Sequence, residues 1–278
     1  MKLVRFGEAG QEKPGIIDKE GRIRDLSGVS ADITGAALGE GLLGKLRDVD
    51  IGALPLAPEG VRLGPCVGDV GNFIAVGLNY ADHATETDAA IPKEPILFNK
   101  ARSCIVGPYD DVVLPPGSVK SDWEVEIAFV ISRRASYVSE ADALDYVGGY
   151  FICNDVSERE YQLEREGQWV KGKCCPTFGP IGPWLVTPEE VGDPQQLSLW
   201  LEVNGERLQN ASTRTMIFPI RTLISYISHY MILEPGDIIT TGTPPGVGLG
   251  MKPPRYLSRG DTMRLGVEKL GVQEQKVV

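Results

Sequence analysis

From residue 72 onward the apolar positions fall in short runs and alternations with a period near two, the spacing of strands that cover at least one face. Phe73–Gly77, 124–132, 148–154 and 197–203 carry this signal, and Asn204-Gly205 between strand-like flanks predicts a tight hairpin. Two stretches follow helical spacing instead. Ile220, Leu223, Ile224, Ile227 and Met231 mark one face of a helix, and Ser157-Glu-Arg-Glu160 reads as a capping box that opens a second helix toward Glu166. Earlier in the chain, strand-like runs at 2–6, 15–18 and 22–26 surround a hairpin tip at 18–21, and a weak helical patch follows at 38–46. Three prolines between Leu54 and Pro65 then interrupt regular structure, which places a boundary near 65: a small N-terminal domain over 1–65 and a larger domain over 66–278. The expected class is β-rich α+β.

Composition narrows the functions open to such a chain of 278 residues. With 28 Lys and Arg against 38 Asp and Glu, the net charge of −10 argues against nucleic acid or an anionic membrane as partner. An anionic small substrate then requires a local basic pocket. No run of eighteen apolar residues occurs, and residues 1–10 lack the charged-then-apolar pattern of a leader, so a cytoplasmic protein is expected. Five cysteines, two of them the adjacent Cys174 and Cys175, make a poor disulfide framework. Two histidines and no CxxC pair leave oxygen as the main donor for any metal. The GxSxG and P-loop patterns are absent as well.

Candidate chemistry gathers at a few places. In Asp122-Trp-Glu-Val-Glu126, Glu124 and Glu126 are two apart on a strand and project to one face. A wetted strand face is the plain alternative, but the apolar run 127–131 takes this strand into the core, where paired carboxylates repel unless a cation or protons intervene. Asp155 ends the next predicted strand, where it either caps a helix or completes a three-carboxylate, hard-oxygen site for Mg²⁺ or Mn²⁺ with Glu124 and Glu126. Arg159 and Gln162 share a face of the following helix. His83 and Glu86, three apart, form either a surface pair or a general base whose imidazole is oriented by a carboxylate. His229 lies in the amphipathic helix without an acidic neighbour and reads as structural. Lys173 sits among glycine, proline and apolar residues, as either a solvated lysine or a site cation. The glycine-rich Thr240–Gly250 run lacks the helix that a phosphate loop requires, so it is either turn structure or a turn whose Thr243 hydroxyl reaches a substrate carboxylate.

Together these segments resemble the fumarylacetoacetate hydrolase family over Asn72 to the C-terminus: GLNYxxHxxE at 77–86, WEVE at 123–126, DYVGGYxxxND at 145–155, Arg159 and Gln162, GK at 172–173, and TGTPPGVG at 241–248. The resemblance implies a mixed β-sheet roll preceded by a small N-terminal α/β domain, and a homodimer or higher homo-oligomer. It implies Mg²⁺ or Mn²⁺ on Glu124, Glu126 and Asp155, and catalytic roles for Lys173 and for His83 with Glu86 on a closing lid over about 81–94. Asn79, Lys100, Arg159, Gln162 and Thr243 are the expected substrate contacts. Relatives read GKSFDTF or GKGFDTF where this chain has Gly172-Lys-Cys-Cys-Pro-Thr-Phe178, which bears on the pocket wall. The implied activity is cleavage of a C–C bond in a small anionic 2,4-diketo acid, foremost 2,4-diketo-3-deoxy-L-rhamnonate to pyruvate and L-lactate. Ureidoglycolate lyase or another acylpyruvate hydrolase or oxaloacetate decarboxylase is the alternative, and a non-catalytic metal or sugar-acid binder the reading from another class.

Overall fold

In the computed structural model, which describes residues 1–278, sixteen strands and seven short α-helices make a strand-rich α+β fold. The strands are β1 (Lys2–Phe6), β2 (Lys13–Ile17), β3 (Ile23–Asp25), β4 (Phe73–Gly77), β5 (Ile96–Lys100), β6 (Ile105–Val106), β7 (Ser121–Asp122) and β8 (Val125–Ile131). They continue with β9 (Val147–Asn154), β10 (Ser157–Glu158), β11 (Gly179–Val186), β12 (Ser198–Val203), β13 (Glu206–Ser212), β14 (Ile238–Thr240), β15 (Thr262–Val267) and β16 (Gly271–Lys276). The helices are α1 (Gly35–Gly39), α2 (Leu42–Arg47), α3 (Ala81–Glu86), α4 (Arg159–Leu163), α5 (Val170–Lys173), α6 (Pro188–Val191) and α7 (Ile220–Tyr230).

The largest sheet runs β3-β2-β1-β11-β9-β8-β14-β4-β5, with β6 added alongside β11. It is mixed: β14 lies parallel to β4 and β6 parallel to β11, and the other pairs are antiparallel. A second sheet, β13-β12-β15-β16, covers part of one face. The apolar run behind Glu126 explains why β8 occupies the middle. Ile127, Phe129 and Ile131 enter one core with Leu199, Leu265 and Ile224, while Ala128 and Val130 enter the other with Leu3, Ile16 and Leu46. A strand buried on both faces reads as a continuous apolar segment, and successive residues serve opposite cores.

The Asn204-Gly205 turn joins β12 to β13 with both residues at positive φ, 53° and 80°, as a two-residue hairpin requires. The helix expected from Ser157 to Glu166 is shorter. Residues 157–158 are still extended, paired with β7, and the cap is Glu158, whose carboxylate accepts the Tyr161 N–H at 2.7 Å; Ser157 instead donates to the Asp155 carbonyl at 2.9 Å.

Residues 1–65 supply three strands and two helices that continue the large sheet. Lys2 and Leu3 of β1 pair with Val186 and Leu185 of β11, so the N-terminal strands and the rest of the chain share one ladder and one core. We propose the division at 65 as one between a covering layer and the larger body of the fold, coupled through β1. All four tryptophans lie beyond residue 65. Replacing the buried Leu3 by Ala should therefore lower stability by about 2–5 kcal/mol and shift the single denaturant transition read by tryptophan fluorescence. An unshifted tryptophan transition would show two uncoupled units.

Candidate active site

The register of β8 against β9 places three carboxylates at one strand mouth. Val125 pairs with Asn154, the Asp155 N–H donates to the Glu124 carbonyl at 2.9 Å, and the Asn154 side chain accepts the Glu124 N–H at 3.2 Å. Glu124, Glu126 and Asp155 each offer one oxygen to a cluster spanning at most 4.8 Å, with side chains almost wholly buried.

Cations on three sides make this burial tolerable. Lys173 Nζ lies 2.7 Å from Glu124 Oε2 and 2.8 Å from Asp155 Oδ2, bridging the two. Lys100 Nζ stands 2.6 Å from Asp155 Oδ1, and Arg159 Nη2 stands 2.8 Å from Glu124 Oε1. Although burial opposes it, Lys173 and Arg159 hold the Glu124 carboxyl down to about 2. Glu126 has no such cation. Burial, then the charges of Asp155 and Glu124, push its carboxyl well above the usual range, while the Thr240 hydroxyl and the Gly242 N–H donate to its Oε2. Its Oε1 has no protein partner. An all-oxygen donor set, one unengaged carboxylate oxygen and a cradle that already seats an ammonium fit a hard divalent cation such as Mg²⁺ or Mn²⁺.

His83 and Glu86 both lie on α3, one turn apart, and His83 Nδ1 meets Glu86 Oε1 at 2.8 Å. The same carboxylate accepts the Gly246 N–H at 2.8 Å, which ties α3 to the glycine-rich turn. Gly246 has φ of 107°, and a Cβ there would fall 2.0 Å from the Leu208 carbonyl oxygen, so close packing requires glycine at this position. His83 borders a cavity of about 620 Å³ that also contains Glu124, Glu126, Arg159, Gln162, Lys173 and Thr243. The wall also contains the apolar side chains of Leu78, Phe98, Leu163, Trp169 and Leu249, with the Phe98 ring 5.2 Å from Lys173 Nζ.

Two of the expected substrate contacts are engaged within the protein. The Asn79 amide donates to the Phe218 and Thr241 carbonyls at 3.1 and 2.8 Å and accepts the Phe218 N–H at 2.8 Å, so it is a backbone bridge away from the cavity. Lys100 supports Asp155 from behind and does not reach the cavity wall. Thr243 lines the cavity, but its hydroxyl already donates to the Val125 carbonyl at 2.9 Å. Arg159 is engaged by Asp122 and Glu124 and donates through Nη1 to Gln162 Oε1 at 3.0 Å, leaving the Gln162 amide nitrogen without a protein partner.

Cys174 and Cys175 stand outside the wall: Cys174 Sγ accepts the Ala101 N–H at 3.0 Å, and Cys175 Sγ contacts the Lys171 carbonyl. His229 is exposed and bonded to the Ser225 carbonyl at 2.7 Å. Asp122 is the residue that sequence reasoning missed. Fully buried, it accepts Arg159 Nε at 2.9 Å and the N–H groups of Gly248 and Leu249 at 2.7 and 2.9 Å, joining the arginine to the turn. Its spacing of two from Glu124 was the available signal.

Residues 72–278 match the family model described as the fumarylacetoacetate (FAA) hydrolase C-terminal region. A Burkholderia orbicola (strain MC0-3) protein whose name goes no further than hydrolase is 58% identical over 277 residues, covering 99% of this chain and 98% of its own. The solved fumarylacetoacetate hydrolase from psychrophilic Exiguobacterium antarcticum is 36% identical with a TM-score of 0.89, over 100% of this chain and 99% of that one. Maleylpyruvate hydrolase from Sphingobium sp. SYK-6, solved in complex with manganese(II) ion and pyruvate, is 30% identical with a TM-score of 0.82 over 100% and 99% of the two chains. No helix here is long and apolar enough to cross a membrane.

Glu126→Gln keeps the shape of the side chain and removes one anionic donor. Isothermal titration with Mn²⁺ should show affinity reduced about tenfold or more, given that even outer partners of a metal site are worth roughly 10–100-fold, with an unchanged far-UV spectrum. Undiminished affinity would separate Glu126 from the cation site.

Proposed function

Because the chain belongs to the fumarylacetoacetate hydrolase family, we propose that it hydrolyses a C–C bond of a small 2,4-diketo acid and releases pyruvate. The carrying observation is a carboxylate-oriented imidazole facing a three-carboxylate cation site within one cavity. The manganese and pyruvate held by the maleylpyruvate hydrolase neighbour support the same head group. A divalent ion on Glu124, Glu126 and Asp155 would supply Lewis acidity toward the 2-oxo group and offset charge on the departing fragment.

The chain's own residues account for the remaining steps. Glu86 holds His83 through Nδ1, leaving Nε2 to take a proton from water as that water adds to the C4 carbonyl. The C3–C4 bond then breaks, C4 leaves as a carboxylate, and C3 receives a proton to become the methyl of pyruvate. Lys173 and the free amide nitrogen of Gln162 are the donors for the substrate carboxylate. Asp122, Glu124, Glu126 and Asp155 against Lys100, Arg159 and Lys173 leave one negative charge when all are ionised, and a divalent ion turns this to one positive charge, which suits a monoanion.

The apolar side chains in the cavity wall suit the terminal methyl of a 6-deoxy sugar acid, which supports 2,4-diketo-3-deoxy-L-rhamnonate, split to pyruvate and L-lactate, as the substrate. We place the enzyme in the cytoplasm, in keeping with its five free cysteines, and as a homodimer or larger homo-oligomer.

Incubation with Mg²⁺ and either this diketo acid or ureidoglycolate should give pyruvate plus lactate, and little glyoxylate plus urea. Glyoxylate release without pyruvate from any diketo acid would replace the reading with a lyase, and saturable binding without product would replace it with a binder. Glu86→Gln should lower kcat by about 10²–10⁴-fold with a smaller change in KM, as loss of general-base orientation requires. Amide exchange over 81–94 should slow when Mn²⁺ and oxalate bind, because α3 closes the cavity; equal protection with and without them would count against a lid.

A further inference from the structure

The cavity is lined by both charged and apolar side chains, and one of the apolar ones, Trp169, also borders a neighbouring recess. Trp169 meets Phe98 edge to face, with ring centroids 5.4 Å apart at 67°. Its indole is seated against Gly77 at the end of β4, where a Cβ would fall 2.5 Å from Trp169 Cζ3. Any larger residue at 77 would displace the ring, so the backbone of β4 fixes its place.

Beyond the indole lies a second recess of about 740 Å³, bordered by Ile96, Leu97, Asn99 and Gln168 and sharing Phe98 and Trp169 with the catalytic cavity. Trp169 also stands one helical turn before Lys173, whose N–H donates to the Trp169 carbonyl at 3.2 Å. Residues at that spacing have Cβ atoms about 5–6 Å apart. Lys173 Nζ lies 5.2 Å from the Phe98 ring, which in turn meets the indole at 5.4 Å, so one aromatic ring stands between the cation beside the head group and Trp169, the span of a few carbon atoms.

We infer that Trp169 sets the length of the acyl group this enzyme accepts: it stops the tail of a 2-oxo acid substrate after about three carbons beyond C3, and its removal joins the catalytic cavity to the second recess. This rests on the reading that the cavity holds a 2-oxo acid. It assigns specificity to a residue that takes no part in bond breaking.

The test uses binding, so that it stands apart from turnover. Affinities of pyruvate, 2-oxohexanoate and 2-oxooctanoate are measured by isothermal titration in the presence of Mn²⁺ for the wild-type protein, Trp169→Ala and Trp169→Phe. In the wild type, 2-oxooctanoate should bind about tenfold or more weaker than 2-oxohexanoate, a ratio within what pocket sterics impose. Trp169→Ala should abolish or invert that ratio and Trp169→Phe should fall between, a pattern that general loss of folding does not produce. An unchanged ratio in both variants, or a wild type indifferent to length, overturns the inference. A length limit in binding with no hydrolysis of any acylpyruvate would leave the inference standing and reject the hydrolase reading, whereas acetylpyruvate hydrolysis without a length limit would do the reverse.

Discussion

Ion pairing in a dry interior is the constraint on which the rest depends. Four carboxylates, Asp122, Glu124, Glu126 and Asp155, are gathered at one strand mouth by β7, β8 and the end of β9, and all are buried. In so little water their mutual repulsion would unfold the strand mouth were the three cations absent. Each cation comes from a different element: Lys100 from β5, Arg159 from α4 and Lys173 from α5. The site thus holds the surrounding fold together as much as the fold holds the site. Removing one partner strands a buried charge, commonly a loss of about 3–5 kcal/mol.

The same strand divides the two cores. Because Ile127, Phe129 and Ile131 face one way and Ala128 and Val130 the other, a slip of one residue in β8 would exchange both apolar sets and turn Glu126 away from Glu124 and Asp155. Packing on both faces therefore protects the geometry of the chemistry. The N-terminal layer contributes here through Leu3, Ile16 and Leu46, which fill the side opposite the second sheet.

What could be read from the sequence was whatever has a local period. Glu124 and Glu126 on alternate strand positions, Asp155 at a strand end, His83 one turn before Glu86, and the Asn-Gly hairpin are written within a few residues. Partner choice is not. Nothing near Lys100 or Asn79 says that one will brace Asp155 and the other will bridge the Phe218 and Thr241 backbones, since those contacts span 55 to 162 positions. The pairing of β1 with β11 is likewise long-range and has no local mark, so the ladder that joins 1–65 to the rest of the chain was not legible there. The capping box at Ser157 was misplaced for a related reason: tertiary pairing with β7 keeps 157–158 extended, and the helix starts later than its residues suggest.

The Glu86 carboxylate has one further consequence. It touches the His83 imidazole and the Gly246 backbone at once, so the alignment of the base and the seating of α3 on the turn depend on the same two oxygen atoms. Both residues ride on α3, so should that helix lift, the pair would leave the turn together and the carboxylate would lose the backbone N–H that fixes it. The arrangement behaves as an interlock: the imidazole keeps a fixed place beside the cavity only while the helix that carries it stays docked on the turn.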